Sequence, residues 1–202
     1  HSLYYNTTGN SNTASGTNSL YSNTTGNNNT ASGINSLYSS NAGNNNTASG
    51  FKSLYSNTTG NNNTAFGSFS LEFNTTGKHN IAFGHSSGKD LSNGMANTIS
   101  NNSIFIGGKT KALGDNQSNQ IVIGYDPTGA GDNSVVLGNS SVSRVFAASD
   151  GGAQIYASNV STGSDRRFKT NFILIPQAIT NTKARIDYGY KGTNMARDGS
   201  FF

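Results

Sequence analysis

The sequence contains no cysteine, few histidines and no long apolar run. Without cysteine there is no disulfide framework and no thiolate metal site. The three histidines leave little for a zinc site, and we expect no metal and no cofactor. The longest apolar run is the four residues FILI at 172–175, whereas a membrane span needs ~20. We therefore expect no membrane insertion of this chain.

Hydrophobic and charged residues are also scarce. They make up 32% and 11% of the 202 residues, against about 45–50% and about 25% in globular proteins. Asparagine, serine, threonine and glycine replace them, and the net charge of +4 is too low for the charge-rich class of disordered chains. This composition argues against an enzyme with a large aliphatic core. It favours a repetitive β structure.

A period of 17 residues runs through residues 1–84. One leucine series and two glycine series recur at this spacing, and we assign the leucines to a core and both glycine series to corners with positive φ. The leucines are Leu3, Leu20, Leu37, Leu54 and Leu71. The first glycine series is Gly16, Gly33, Gly50, Gly67 and Gly84, and the second is Gly9, Gly26, Gly43, Gly60 and Gly77.

The period continues more loosely after residue 84. The strings NSIFIG (102–107), NQIVIG (119–124) and NSVVLG (133–138) repeat one pattern, with closing glycines 17 and then 14 residues apart. We interpret residues 85–101 as an insertion before them. The whole sequence thus divides into four regions. They are five repeats at 1–84, an insertion and degenerate repeats at 85–138, a β junction at 139–163, and a C-terminal segment of uncertain fold at 164–202.

A 17-residue unit with two glycine corners suits a coil of two short strands and two turns. Such coils stack strand on strand at about 4.8 Å per layer. The predicted fold class is therefore all-β, a repetitive parallel β-roll or solenoid. Asparagines stacked between the layers could add hydrogen bonds.

The core of one such chain is thin. Each repeat offers one leucine, one alanine and a variable apolar residue such as Ile34 or Phe51. Burying a leucine gains about 1.5–3 kcal/mol, while ordering each residue costs about 1–2 kcal/mol. We therefore expect faces of neighbouring chains to be buried as well, and a parallel homotrimer about a threefold axis fits best.

The repeat strings resemble a known family. NSIFIG and NSVVLG, with NTAFG (63–67) upstream, are similar to the head repeats of trimeric autotransporter adhesins, the YadA-like heads. The resemblance covers about residues 1–138. It implies an intertwined homotrimer, a left-handed parallel β-roll and an extracellular location on a virion tail fibre or a cell-surface appendage.

A second resemblance begins where the charge changes. Residues 161–202 carry seven basic and three acidic residues, against six of each in 1–160. The string SDRRFKTN (164–171) resembles the start of the intramolecular chaperone domain of phage tail spikes and fibres, the endosialidase type. That domain drives trimer assembly and then cuts itself off. The resemblance implies Ser164 as nucleophile and Lys169 as base, with cleavage of the bond after Gly163. Beyond this single self-cleavage we expect no enzyme.

A tyrosine follows the leucine in four consecutive repeats, until Glu72 interrupts the series. By strand alternation the tyrosines should lie on the face opposite the leucines and form a column. The column could bind a glycan or receptor, or it could only pack between coils or subunits. Its members are Tyr4, Tyr21, Tyr38 and Tyr55.

These observations favour a trimeric fibrous attachment protein of the phage tail-fibre or spike type, in which the β-roll is a stiff spacer and an adhesion surface for a host receptor or glycan. One alternative is a bacterial surface adhesin of the same architecture. Another is an ice-binding solenoid, with an array of threonines at the Asn-Thr-Thr-Gly corners. Lys109, Lys111 and the basic tail lack interleaved aromatic residues, so we expect no nucleic-acid partner.

Overall fold

Repeating units of the sequence fold into coils that stack in parallel as a β-solenoid. The computed structural model describes residues 1–145. They contain ten strands of two to four residues each. The strands are β1 (Thr13–Ser15), β2 (Thr30–Ser32), β3 (Thr47–Ser49), β4 (Thr64–Phe66), β5 (Ile81–Phe83), β6 (Ser100–Asn101), β7 (Ile104–Ile106), β8 (Gln117–Ser118), β9 (Gln120–Ile123) and β10 (Ser134–Leu137).

Eight of the strands form one parallel sheet in the order β1-β2-β3-β4-β5-β7-β9-β10, and β6 pairs with β8 in a second parallel sheet. The register keeps the 17-residue period, with Ala14 opposite Ala31 and Ala31 opposite Ala48. Residues 1–145 contain no helix, and so none that could cross a lipid bilayer. The predicted all-β, parallel, repetitive fold is confirmed.

Each coil of the 17-residue repeats contains one strand of the main sheet, so the prediction of two strands per coil is wrong there. The Asn-Ser-Leu-Tyr segment is a turn, in which Leu20 has φ of 49° and Leu37 of 48°. A side chain in this left-handed region costs about 1–2 kcal/mol. The turn still bonds to the next coil, because the N–H of Leu20 donates to the carbonyl of Ser36 and that of Leu37 to the carbonyl of Ser53, both at 3.0 Å.

The core of the solenoid consists of the repeat leucines and the central strand residues. Leu37 and Ala48 are fully buried, and Phe105 and Val122 replace alanine in later coils. The variable apolar positions lie outside this core, since Ile34 is 50% exposed. The core of one chain is therefore even thinner than the sequence indicates.

A buried column of asparagines supplies much of the interior. Asn29, Asn46, Asn63 and Asn80 are all fully buried. The Nδ2 of Asn46 donates to the carbonyl of Gly60 at 2.8 Å, and its Oδ1 accepts from the backbone N–H of Asn63 at 3.0 Å. Leaving such a buried amide unpaired would cost about 1–3 kcal/mol. The expected hydrogen bonding between layers by asparagine is confirmed.

A second asparagine column has one gap. Asn57 and Asn74 occupy equivalent buried positions, and the Nδ2 of Asn74 donates to the Oδ1 of Asn57 at 3.1 Å. Ser40 replaces asparagine in the coil of β3. Within residues 1–145, the Oγ of Ser40 and the Oδ1 of Asn23 in the preceding coil have no hydrogen-bond partner. The serine therefore breaks the column on both sides.

The two glycine series are required for different reasons. Gly33 has φ of 134°, a conformation that strains any residue with a Cβ. Gly43 has no positive φ, but a Cβ on it would lie 2.6 Å from the carbonyl oxygen of Gly60 and 2.9 Å from the Nδ2 of Asn57. The expectation of positive φ is thus wrong for the second series, where the close approach of adjacent coils excludes a side chain.

The chain between Gly84 and Gly107 forms one enlarged coil. These glycines are 23 residues apart, yet β5 pairs directly with β7. The added residues project as a small hairpin, closed by an antiparallel bridge between Asp90 and Ala96. The interpretation of residues 85–101 as an insertion is corrected, because only the hairpin interrupts the period.

Truncating a core leucine should destabilise the solenoid strongly. We expect Leu37→Ala to lower the free energy of unfolding by about 2–5 kcal/mol, because the neighbouring coils cannot close the cavity. Guanidinium unfolding followed by circular dichroism measures the change. Thr25→Ala, at an exposed corner, is the control. An equal effect of the two substitutions would contradict the assignment of Leu37 to the core.

Completing the second asparagine column should stabilise the protein. In Ser40→Asn the new Nδ2 can donate to the Oδ1 of Asn23, and the new Oδ1 can accept from Asn57. We expect a gain of about 1 kcal/mol in the free energy of unfolding. Ser39→Asn places the same side chain at a half-buried neighbouring position and should give no gain. Equal free energies of unfolding for the two variants would show that the gap does not destabilise the protein.

Candidate functional site

The tyrosines form the predicted column along one side of the solenoid. The ring centroids of Tyr4 and Tyr21 are 5.3 Å apart, those of Tyr21 and Tyr38 5.2 Å, and those of Tyr38 and Tyr55 5.1 Å. Tyr4 is 54% exposed and the others are half-buried. They point away from the leucine core because of the turn, and not by strand alternation as predicted.

The stacking limits what a ligand can reach. The ring planes of Tyr21 and Tyr38 differ by only 2°, and further tyrosines lie above and below them. Partial burial, a hydrogen bond with Tyr5 and the neighbouring tyrosines raise the pKa of Tyr21, so its hydroxyl stays neutral. The column thus presents ring edges and neutral hydroxyls, whereas a stacked sugar needs a free ring face. Its geometry favours a packing role, and binding by these tyrosines stays a prediction.

The column ends at a cluster of charges. The carboxylate of Glu72 is almost fully buried, with the Nζ of Lys89 at 3.2 Å and that of Lys52 at 3.8 Å. The Nζ of Lys52 lies 5.3 Å from the ring centroid of Tyr55, and that of Lys89 lies 5.3 Å from that of Phe73. A buried carboxylate requires such partners. The two lysines therefore compensate the buried negative charge in the coil where the tyrosine series ends.

At the threonine corners the hydroxyl of the first threonine is used within the solenoid. The Oγ1 of Thr7 donates to the carbonyl of Thr24 at 2.8 Å, and that of Thr58 donates to the carbonyl of Thr75 at 3.1 Å. In the coil of β3, Asn41 stands at the position of these threonines. The first threonine of each corner thus joins adjacent coils, and its hydroxyl is not free for a ligand.

The outer face of the main sheet carries two different surfaces. In β1 to β4 the outward residue before the central alanine is an exposed threonine, and in β1 to β3 the one after it is a serine. From β4 onward the outward residues become apolar. We call this second part the apolar sheet face. Its exposed members are Phe66, Ile81, Phe83, Ile106, Val135 and Leu137, and its half-buried members are Ile104, Ile121 and Ile123.

The apolar sheet face is continuous from coil to coil. The rings of Phe66 and Phe83 stack at 5.0 Å, and Phe83 pairs in register with Ile106. Val135 is 62% exposed. Contiguous exposed apolar patches on soluble proteins mark interaction sites. The apolar sheet face is therefore a candidate site of contact with another apolar surface.

Sequence reasoning missed this face, although the signal was present. In Ile104–Phe105–Ile106 only the central residue can point into the solenoid, because successive strand residues alternate. Phe105 is buried and Ile106 is exposed. Phe66 lies at an outward position by the same rule. The alternation therefore separates core residues from exposed residues in each strand.

Two predicted residues cannot be placed. Ser164 and Lys169 lie outside the described residues, as does most of the β junction at 139–163. Within residues 1–145 no group of three or more histidine and acidic side chains could hold a metal ion. The described solenoid therefore offers extended surfaces as its candidate site.

Comparison of the chain with protein-family models, with curated proteins and with solved structures gave no match. The two resemblances therefore rest on the repeat strings and on residues 164–171.

Removing the charge of Glu72 should destabilise the solenoid. We expect Glu72→Gln to lower the free energy of unfolding by about 3 kcal/mol, because two lysines lose their buried partner. Chemical denaturation measures the loss. The control is Asp126→Asn, where the Nζ of Lys111 at 2.6 Å lowers the pKa of an exposed carboxyl, and where we expect little change. Equal losses would show that burial of Glu72 is unimportant.

Proposed function

We propose that this chain is the fibrous, adhesive part of a homotrimeric attachment protein of the phage tail-fibre or spike type. The solenoid acts as a stiff spacer and as the surface that meets a host receptor or glycan, outside the cell. The segment from Ser164 is related to a trimer-assembly chaperone. The observation that carries the proposal is the exposed apolar sheet face.

The apolar sheet face supports self-association. In each 17-residue repeat of residues 1–84 one chain buries at most a leucine and an alanine, while phenylalanine, isoleucine and valine side chains remain exposed on the sheet. Burial of apolar surface gains about 25 cal/mol per Å². Three copies with their sheets turned toward a common axis would gain this energy and complete the thin core. The coils of the three chains would then stack along one fibre axis.

Trimerisation also suits an adhesive role. Every surface column of one solenoid would be present three times at fixed spacing. Weak individual contacts then combine, because the second and third contacts form at a high effective concentration. A bacterial surface adhesin of the same architecture would gain affinity from the same multivalent contacts. It would differ in needing an export signal and a membrane anchor.

The ice-binding alternative has one favourable observation, on a different surface from the one predicted. Thr13, Thr30, Thr47 and Thr64 form an exposed row on the main sheet, and within residues 1–145 their hydroxyls make no hydrogen bond. Ice binding needs this row to be open to solvent. A trimer packed through the sheet would cover it. The oligomeric state therefore separates the two functions.

Light scattering on the full chain tests the proposal. We expect three times the chain mass of 21.1 kDa. A double substitution on the apolar sheet face, Phe83→Lys with Ile106→Lys, should give monomers, because six ammonium groups would meet at the axis. The control Met95→Lys alters an exposed apolar residue of the hairpin and should leave the trimer intact.

A stable wild-type monomer would overturn the trimer and favour the ice-binding alternative. Intact-mass spectrometry of the same samples shows whether the bond between Gly163 and Ser164 is cut. Two fragments divided at this bond in the wild type, and an intact chain in Ser164→Ala, would support the chaperone resemblance. Cleavage that persists in Ser164→Ala would exclude Ser164 as the nucleophile.

A further inference from the structure

An open polar groove of about 760 Å³ runs along the solenoid on the strand-entry side of the coils. It crosses the coils of β1 to β5 and is lined mostly by asparagine. Two parallel columns of amides line it, an inner and an outer one. We call it the asparagine groove.

The inner column of the groove is fixed by hydrogen bonds. The Nδ2 of Asn27 donates to the carbonyl of Thr25 at 2.9 Å, and its Oδ1 accepts from the backbone N–H of Asn10 at 2.8 Å. Asn44 repeats the pattern, donating to the carbonyl of Ala42 at 3.0 Å. These side chains are saturated. They form the rigid base of the groove.

The outer column is free to bind. Asn28, Asn45 and Asn62 are exposed and have φ of 57°, 56° and 58°, so each side chain projects from a left-handed corner. Their backbone N–H groups are used between coils, as in Asn45 N–H to the carbonyl of Asn27 at 3.0 Å. Within residues 1–145 their side-chain amides make no hydrogen bond. Each amide offers two donors and one acceptor.

The chemistry of the groove selects the class of ligand. No charged side chain lines it until Lys78 and His79, which replace asparagines in the coil of β5. A nucleic acid would need cations along its path. An extended peptide would need free backbone groups or apolar pockets.

A hydroxyl-rich polymer satisfies all these conditions. Amides recur about every 4.8 Å along the stack, a spacing comparable with one sugar ring in an extended glycan. Each amide can donate to one hydroxyl and accept from its neighbour. We propose that the asparagine groove binds a linear neutral polysaccharide laid parallel to the solenoid axis, with Asn28, Asn45 and Asn62 as the contacting residues.

This inference rests on the proposed attachment function and specifies its ligand. It moves the glycan site from the tyrosine column to the groove. The groove and the apolar sheet face use different residues, so assembly and ligand binding can be tested separately.

The test uses the full chain and isothermal titration calorimetry with linear neutral hexasaccharides of glucose, mannose, galactose and xylose. The variant is the triple substitution Asn28→Gly, Asn45→Gly and Asn62→Gly, which removes the amides while glycine keeps the positive φ. Asn18→Gly with Asn35→Gly is the matched control, since these asparagines also have positive φ, of 56° and 57°, but lie outside the groove. Circular dichroism of each variant checks the fold.

We expect at least one hexasaccharide to bind the wild type, with affinity about tenfold lower in the triple variant and unchanged in the control. Two outcomes would overturn the groove: no hexasaccharide binds the wild type, or the triple variant binds equally well. Light scattering on the same samples separates the two proposals. A trimer that binds none of the hexasaccharides refutes only the groove, whereas a monomer that binds sugar through these asparagines refutes only the fibre.

Discussion

The structure depends on the in-register hydrogen bonding of each coil to the next. Threonine N–H groups at the start of β1 to β4 donate to the carbonyl of an asparagine in the following coil, each at 2.8 Å. The leucine turns and the threonine corners join the same ladder with their own backbone groups. A coil of this kind has no stable isolated form, because its strand is three residues long and the strand backbone pairs only with neighbouring coils. Stacking therefore creates both the sheet and the fold.

Exact stacking explains why the sequence avoids charge. Any residue kept at the 17-residue period lies directly above its own copy, so a repeated lysine would place like charges about 4.8 Å apart. Amides, hydroxyls and aromatic rings are stabilised by such repetition, because each can form a hydrogen bond or stack with its copy in the adjacent coil. Charges occur where the column changes identity. Lys52 lies between Asn35 and Phe69, and Glu72 lies between Tyr55 and Lys89.

The periodicity was sufficient to predict parallel coils, buried leucines, stacked asparagines and the tyrosine column, because each follows from in-register repetition. It was not sufficient to predict backbone conformation within a coil. Leu20 in a left-handed turn contradicts its intrinsic preference and is held there by tertiary contacts. The close packing at Gly43 depends on the path of the adjacent coil. The asparagine groove was also not predictable, since Asn27 and Asn28 are adjacent identical residues and only the structure shows that one is saturated and the other free.

The surfaces of the solenoid change in chemistry around the coil of β5. The tyrosine column ends there at Glu72, the asparagine groove ends there at Lys78, and the outer sheet, whose apolar residues begin with Phe66 in β4, has no outward threonine or serine in β5. The same ladder of backbone hydrogen bonds continues through this change, because it does not depend on which side chains point outward. The coils before it present mainly uncharged polar columns, and the coils from β4 onward present the apolar sheet face. A single repetitive backbone can thus carry two chemically different surfaces along its length.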